Sequence, residues 1–205
     1  KTVLFVSHQM ATVENLCKSA FLLDKGKIIY SGLSGEVISE YRKTMSDSLP
    51  LSLKERNRDG NGKCKLVSYR ITNQDGKEVD FLISGKSATI ALSFEVKTPF
   101  SSALSLSLGI SSANRHRIAH LCMKTFGKRI EPTEQNSFEV LLHLPKVELC
   151  HGNYYVTSFL DDESGDIIDW VVDAFELQIL ESDFYGTGMI PRGDQGVILM
   201  EHSFA

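Results

Sequence analysis

Residues Leu149–Leu180 read LCHGNYYVTSFLDDESGDIIDWVVDAFELQIL. His151-Gly152-Asn153 is a turn that opens a strand from Tyr154 to Leu160. Asp161-Asp162-Glu163-Ser164-Gly165 closes that strand. A second β-rich run, Ile167–Val172 and then Phe175–Leu180, returns along it. Side chains of a strand alternate between faces. Tyr154, Val156, Ser158 and Leu160 therefore point one way and suit a sandwich core. Tyr155, Thr157, Phe159 and Asp161 point the other way. This second set puts two large aromatics on a face expected to be polar, and that face is the expected working surface.

The same period of two runs outward on both sides. Lys63–Thr72 reads as a strand, and Asn73-Gln74-Asp75-Gly76 as a hairpin turn. Glu78–Phe81 is short, and Ser87–Val96 is long. In Leu104–Ser112, Leu104, Leu106, Leu108 and Ile110 alternate with Ser105, Ser107, Gly109 and Ser111. Ile118–Lys124 and Ser137–Leu144 follow, and Gly196–Met200 reads as a terminal strand. Eight or nine strands with turns every 8–12 residues predict an antiparallel, immunoglobulin-like β-sandwich.

The 205 residues carry 22 Lys/Arg against 26 Asp/Glu. Residues 1–43 hold six bases and four acids, while residues 59–205 hold thirteen and twenty. An acidic main domain argues against nucleic acid as a partner. No apolar run approaches the roughly 20 residues of a membrane helix, and Val3–Val6 is too short to be read as the apolar region of a secretory signal. The four cysteines stand singly, which fits reduced thiols better than disulfides or a zinc site.

The N-terminal part is different. Thr2–Val6 and Ala20–Asp24 read as buried strands. Met10–Cys17 has helical spacing, and Lys27–Tyr30 pairs back on the second strand. Ser34 caps a helix from about Gly35 to Lys43. Residues 1–43 are too few for an independent α/β domain, so they are expected to be a remnant of a larger one. Residues 44–58 read as a linker, and residues 59–205 as the sandwich.

TVLFVSHQMATVENLCKSAFLLDKGKIIYSG resembles the last part of an ABC-transporter nucleotide-binding domain. His8 matches the family's switch histidine. No P-loop, Walker B carboxylate or signature motif occurs in the chain, so by this resemblance it does not hydrolyse ATP alone. ATP and magnesium are expected only in a full-length parent.

A second resemblance covers residues 59–205. It rests on the order of NQDGKEV, SGKSATIALSFEV, LSLGISSANRHRIAHLCMKT, FEVLLHLPKVELCHGNYYVTSFLDDESGDIIDW and DFYGTGMIPRGDQGVILMEHSF. Together these resemble the C-terminal domain of the ATPase subunit of O-antigen polysaccharide ABC exporters, the Wzt type. The resemblance implies a carbohydrate-binding module for the non-reducing end of a lipid-linked glycan. It implies a homodimer formed by exchange of a C-terminal strand, and a membrane-spanning permease as partner. It places the protein in the cytoplasm, at the inner membrane of a Gram-negative bacterium. The alternative is a dimerisation domain without a glycan site.

The residues suit sugar binding. Ser105, Ser107, Gly109 and Ser111 form a floor without bulk. Tyr155 and Phe159 offer stacking faces, and Thr157 a hydroxyl. Alternation adds His120, Cys122 and Lys124 on the next strand. Arg115, Arg117, Lys124, Lys128 and Arg129 cluster nearby and suit a carboxylate or phosphate, so an anionic chain end is one expectation. A solvated hairpin is the bland one. Trp170 is expected in core or lid packing. Asp161–Asp166 is expected to be a turn rather than a calcium loop, because Val172 stands where that loop needs glutamate.

Overall fold

The structure is a computed structural model that describes residues 4–6, 13, 16–24, 26–47, 53, 56–193 and 196–204. The chain divides into two compact units, residues 1–52 and 53–205.

In the first unit, β1 (Ser19–Asp24) and β2 (Lys27–Leu33) form an antiparallel hairpin. They are followed by α1 (Ser34–Asp47). The Leu33 N–H donates to Glu36 Oε2 at 3.2 Å, which satisfies a donor at the helix start. Leu22, Val37 and Ile38 are buried. The strand Ala20–Asp24, patterned for burial but expected to be partly exposed here, is largely exposed outside Leu22, since Phe21 and Leu23 are both 59% exposed. Their hairpin has an apolar face that no second layer covers among the described residues. Leu4, Phe5 and Val6 are exposed and lie outside any strand. His8 and most of Met10–Cys17 lie outside the described residues.

The second unit is a sandwich of two sheets. The strands are β3 (Arg58–Asp59), β4 (Cys64–Asn73), β5 (Glu78–Val79), β6 (Phe81–Ile83), β7 (Ala88–Val96), β8 (Leu104–Ser111), β9 (Arg117–Cys122), β10 (Ser137–Leu144), β11 (Gly152–Asp162) and β12 (Ile167–Leu180). One sheet has the order β10-β7-β4-β5, and the other β3-β12-β11-β8-β9, with β6 parallel to β12. Leu104, Leu106, Leu108 and Ile110 of β8 meet Val156 and Leu160 of β11 and Leu66, Leu92 and Phe94 of the facing sheet in one core. Phe94 and Phe138 stack at 5.1 Å. Burial of each such side chain contributes about 1.5–3 kcal/mol.

Turn chemistry works as read. Asn73 Oδ1 accepts from the Asp75 and Lys77 N–H groups, and Gly76 adopts φ 73°. Asp162 Oδ1 accepts from Ser164 Oγ and from the Ser164 and Asp166 N–H groups, making the 161–166 segment a turn.

Three elements depart from expectation. Lys124 leaves the strand, because Met123–Phe126 forms a 3-10 turn closed by Gly127 at φ 63°. The terminal strand Gly196–Met200 is reduced to one bridge, Leu149 to Ile198. That segment is held by backbone bonds from the Cys150 N–H to the Val197 carbonyl and from the Leu199 N–H to the Glu148 carbonyl, and by Leu199, which packs with Cys150 and Phe184. Residues 44–47 continue α1.

An ion pair is buried where the second unit begins. Arg58 Nη1 donates to Asp169 Oδ1 at 3.1 Å, and its Nη2 donates to the carbonyls of Leu53 and Leu66. Asp169 Oδ2 accepts from the Leu66 N–H at 2.9 Å. Burial raises the Asp169 carboxyl above its ordinary value, against the opposing pull of Leu66 and Arg58.

Candidate functional site

The outer face of the larger sheet gathers most of the candidate residues in rows. Pairing sets Phe159 beside Ser107, Thr157 beside Gly109, and Tyr155 beside Ser111. On the other side of β8, Cys122 pairs with Ser107, His120 with Gly109, and Arg117 with Ser111. Arg115 comes from the β8–β9 turn, and Lys124 from the 3-10 turn. Lys124 reaches the same face through a 2.5 Å contact with Asp161 Oδ2.

The floor is not open as expected. Ser105, Ser111 and Thr157 are only 3%, 7% and 8% exposed. Small floor residues leave a trough, and the basic arms of the β8–β9 hairpin lie down in it. A Cβ placed on Gly109 would fall 1.2 Å from Arg117 Nη1, so glycine there makes room for the guanidinium. Arginine suits this position, because its stem covers apolar surface while its head stays polar.

Arg115 lies across Tyr155, with its guanidinium carbon 3.5 Å from the ring centroid. It also pairs with the Asp173 carboxylate. Arg115 (φ 63°) and Asp173 (φ 50°) are the two non-glycine residues with positive φ among those described. Both strained residues thus belong to one contact. Asp173 sits in a bulge of β12 opposite Thr157, and its N–H donates to Thr157 Oγ1 at 3.4 Å. Strain of this kind costs of order 1–3 kcal/mol per residue and concentrates at ligand clamps.

Asp173 was not among the expected binding residues. Its signal was the break in alternation between Val172 and Phe175. Trp170 is not core packing: it is 36% exposed on the working face and meets Phe159 edge-on at 5.9 Å. Together the two rings add an apolar wall near the Ser107 row.

The basic cluster separates into two groups. Arg115 pairs with Asp173, Lys124 with Asp161, and Arg129 with Glu163. Among the described residues, Arg117 and Lys128 have no carboxylate partner within ion-pair distance. The face therefore retains unneutralised positive charge. No group of three or more His, Cys, Asp or Glu side chains is placed to hold a metal among the described residues.

Cys122 offers a probe of this face. Partial burial pushes its thiol up, but the Ser107 hydrogen bond, the Lys124 and Thr125 backbone N–H groups and the Lys124 charge bring it below its ordinary value. Cys64, by contrast, is pushed up to about 11, mainly by burial. Cys122 is expected to react with a small disulfide reagent before the buried Cys64 and Cys150, as read by mass spectrometry of peptides. Equal labelling of all three would contradict this electrostatic account.

Two comparisons with known proteins agree on the larger unit. The crystal structure of the C-terminal domain of Wzt superposes with a TM-score of 0.62 at 17% identity, covering 77% of this chain and 92% of that one. At that identity the likeness concerns the fold. A 38-residue segment is 42% identical to a methionine import ATP-binding protein of Streptomyces coelicolor. That match spans 18% of this chain and 11% of that protein. The model of the Wzt C-terminal domain matches residues 55–190. The chain belongs to the Wzt C-terminal domain family.

Proposed function

We propose that the outer face of the larger sheet binds the non-reducing end of a lipid-linked polysaccharide and so selects it for export. The observation that carries this reading is the strained Arg115–Asp173 pair over Tyr155. A sugar ring presents C–H faces and hydroxyls together. Tyr155, Phe159 and Trp170 supply surfaces for the first, while Asp173 and the exposed His120 supply partners for the second. Arg117 and His120 line the same trough and suit an acidic group on the terminal sugar.

In this reading the chain is the recognition part of the ATPase subunit of an O-antigen ABC exporter. It works at the cytoplasmic face of the inner membrane beside a membrane-spanning permease. ATP and magnesium belong to the whole subunit, with His8 as the switch histidine. No helix among the described residues is long and apolar enough to cross a membrane.

A second reading, dimerisation, is favoured by the C-terminal tail. Met189, Met200 and Phe204 are 75%, 71% and 92% exposed there. These side chains suit a second copy of the chain, joined by exchange of the tail.

Calorimetric titration tests the choice. The chain is expected to bind an oligosaccharide ending in the native cap, and to bind the uncapped one at least tenfold more weakly. Binding of neither, by a stable dimer in solution, would overturn glycan recognition and leave the dimerisation role.

A further inference from the structure

A second feature lies at the far end of the same face. A cavity of about 220 Å³ opens beside the 3-10 turn. Its wall includes Ser105, Lys124, Gly127, Lys128, Arg129 and Glu163. We propose that this cavity is an anion seat, taking a phosphoryl or carboxylate substituent of the bound glycan. The source of the anion rests on the glycan reading above, but the seat itself rests on the residues that line it.

Four observations carry the assignment. First, Ser105 is 3% exposed and its Oγ has no hydrogen-bond partner. Buried hydroxyls are nearly always partnered, so this one is poised to donate to something not in the chain. Second, the lining carries three bases and one acid. Glu163 is taken up by Arg129 at 2.7 Å, and Lys124 is held by Asp161. Lys128 has no carboxylate partner among the described residues, so its charge is available to a ligand.

Third, the held bases are pre-positioned. Lys124 is tethered by Asp161, and Arg129 by Glu163 at 2.7 Å and more loosely by Glu131 at 3.8 Å, which lowers the ordering cost of an incoming anion. Fourth, the size discriminates between occupants. The volume falls below the roughly 300–1,000 Å³ of a small-molecule pocket. It therefore suits a charged substituent rather than a stretch of chain.

The position also fits. Ser105 pairs with Asp161, and Ser111 pairs with Tyr155, six residues further along β8. At about 3.3 Å per residue the two ends of the face are roughly 20 Å apart. A short oligosaccharide can lie along the trough with an anionic substituent in the cavity and its terminal sugar towards Tyr155, Arg117 and His120.

The test is an NMR titration of the full chain with inorganic phosphate, glucose 6-phosphate, glucuronate and glucose. Phosphate or glucuronate is expected to shift the Ser105, Gly127 and Lys128 amides, and glucose is not. Comparing glucose 6-phosphate with glucuronate separates phosphoryl from carboxylate preference. Lys128→Gln is expected to weaken anion binding at least tenfold. Ser105→Ala removes an unpartnered hydroxyl, so it is expected to weaken anion binding without lowering the thermal midpoint. A merely structural serine would do the reverse.

Absence of shifts around the cavity, or shifts unchanged in both variants, would overturn the seat. If the capped oligosaccharide still shifts Tyr155 in that case, glycan recognition stands without the seat. Anion binding at the cavity with no oligosaccharide binding would support the seat and reject glycan recognition.

Discussion

Asp169→Ala is expected to destabilise the sandwich by about 3–5 kcal/mol, the cost of breaking a buried ion pair from one side. Asp169 is 1% exposed and the Arg58 side chain 14%. The alanine would leave a buried guanidinium without its counter-charge and the Leu66 N–H without its acceptor. It would also loosen Leu53, which Arg58 holds through its carbonyl. Asp169→Asn keeps an acceptor for Leu66 and removes the charge that burial opposes, so its loss should be smaller. The pH dependence follows from the direction of the shift. With its folded pKa raised, this carboxyl supports the fold most strongly below the ordinary carboxylate range. That support fades as pH rises through the folded value. Urea denaturation of both variants checks the ranking. A loss under about 1 kcal/mol for the alanine would mean that the pair behaves as a solvated surface bridge.

The sandwich was legible because its core depends on alternation. Leu104, Leu106, Leu108 and Ile110 alternate with small polar residues, and all four are buried in the core. The Asp75-Gly76 turn was legible because it needs a positive φ that glycine supplies cheaply. The candidate site was legible only as a surface. Strand pairing put Tyr155, Thr157 and Phe159 against Ser111, Gly109 and Ser107, as alternation on neighbouring strands suggested. Long flexible side chains were the obstacle. Nothing in local sequence says that Arg117 folds over Gly109, since that depends on a hairpin partner eight residues away. The departure of Lys124 from the strand was hidden for a related reason. Met123–Phe126 still alternates, and only Gly127 and the Thr125 Oγ1 bond to the Cys122 carbonyl, at 2.7 Å, turn it into a helix. In the first unit, apolar strands implied burial. Pattern reports what a strand is suited to pack against and not whether that partner is at hand.

Tyr155→Ala is expected to weaken binding of the capped oligosaccharide by at least about 2 kcal/mol, roughly thirtyfold in Kd. The ring does two jobs. It offers a stacking face to a sugar, and it holds the Arg115 guanidinium at 3.5 Å. Cation–π contact is worth about 0.5–2 kcal/mol depending on desolvation, and without it Arg115 keeps only its Asp173 partner. Asp173→Gly separates the parts of this clamp. Glycine accepts the φ of 50° without strain, so the bulge should persist and thermal stability should hold or rise. The carboxylate that pairs with Arg115 would be gone. If strain at Asp173 is maintained for binding, the glycine variant loses glycan affinity while keeping its fold. If Tyr155→Ala fails and Asp173→Gly binds normally, stacking alone carries recognition. Normal binding by both variants would remove the physical reason for placing the glycan on this face, because no other contact described there stores strain.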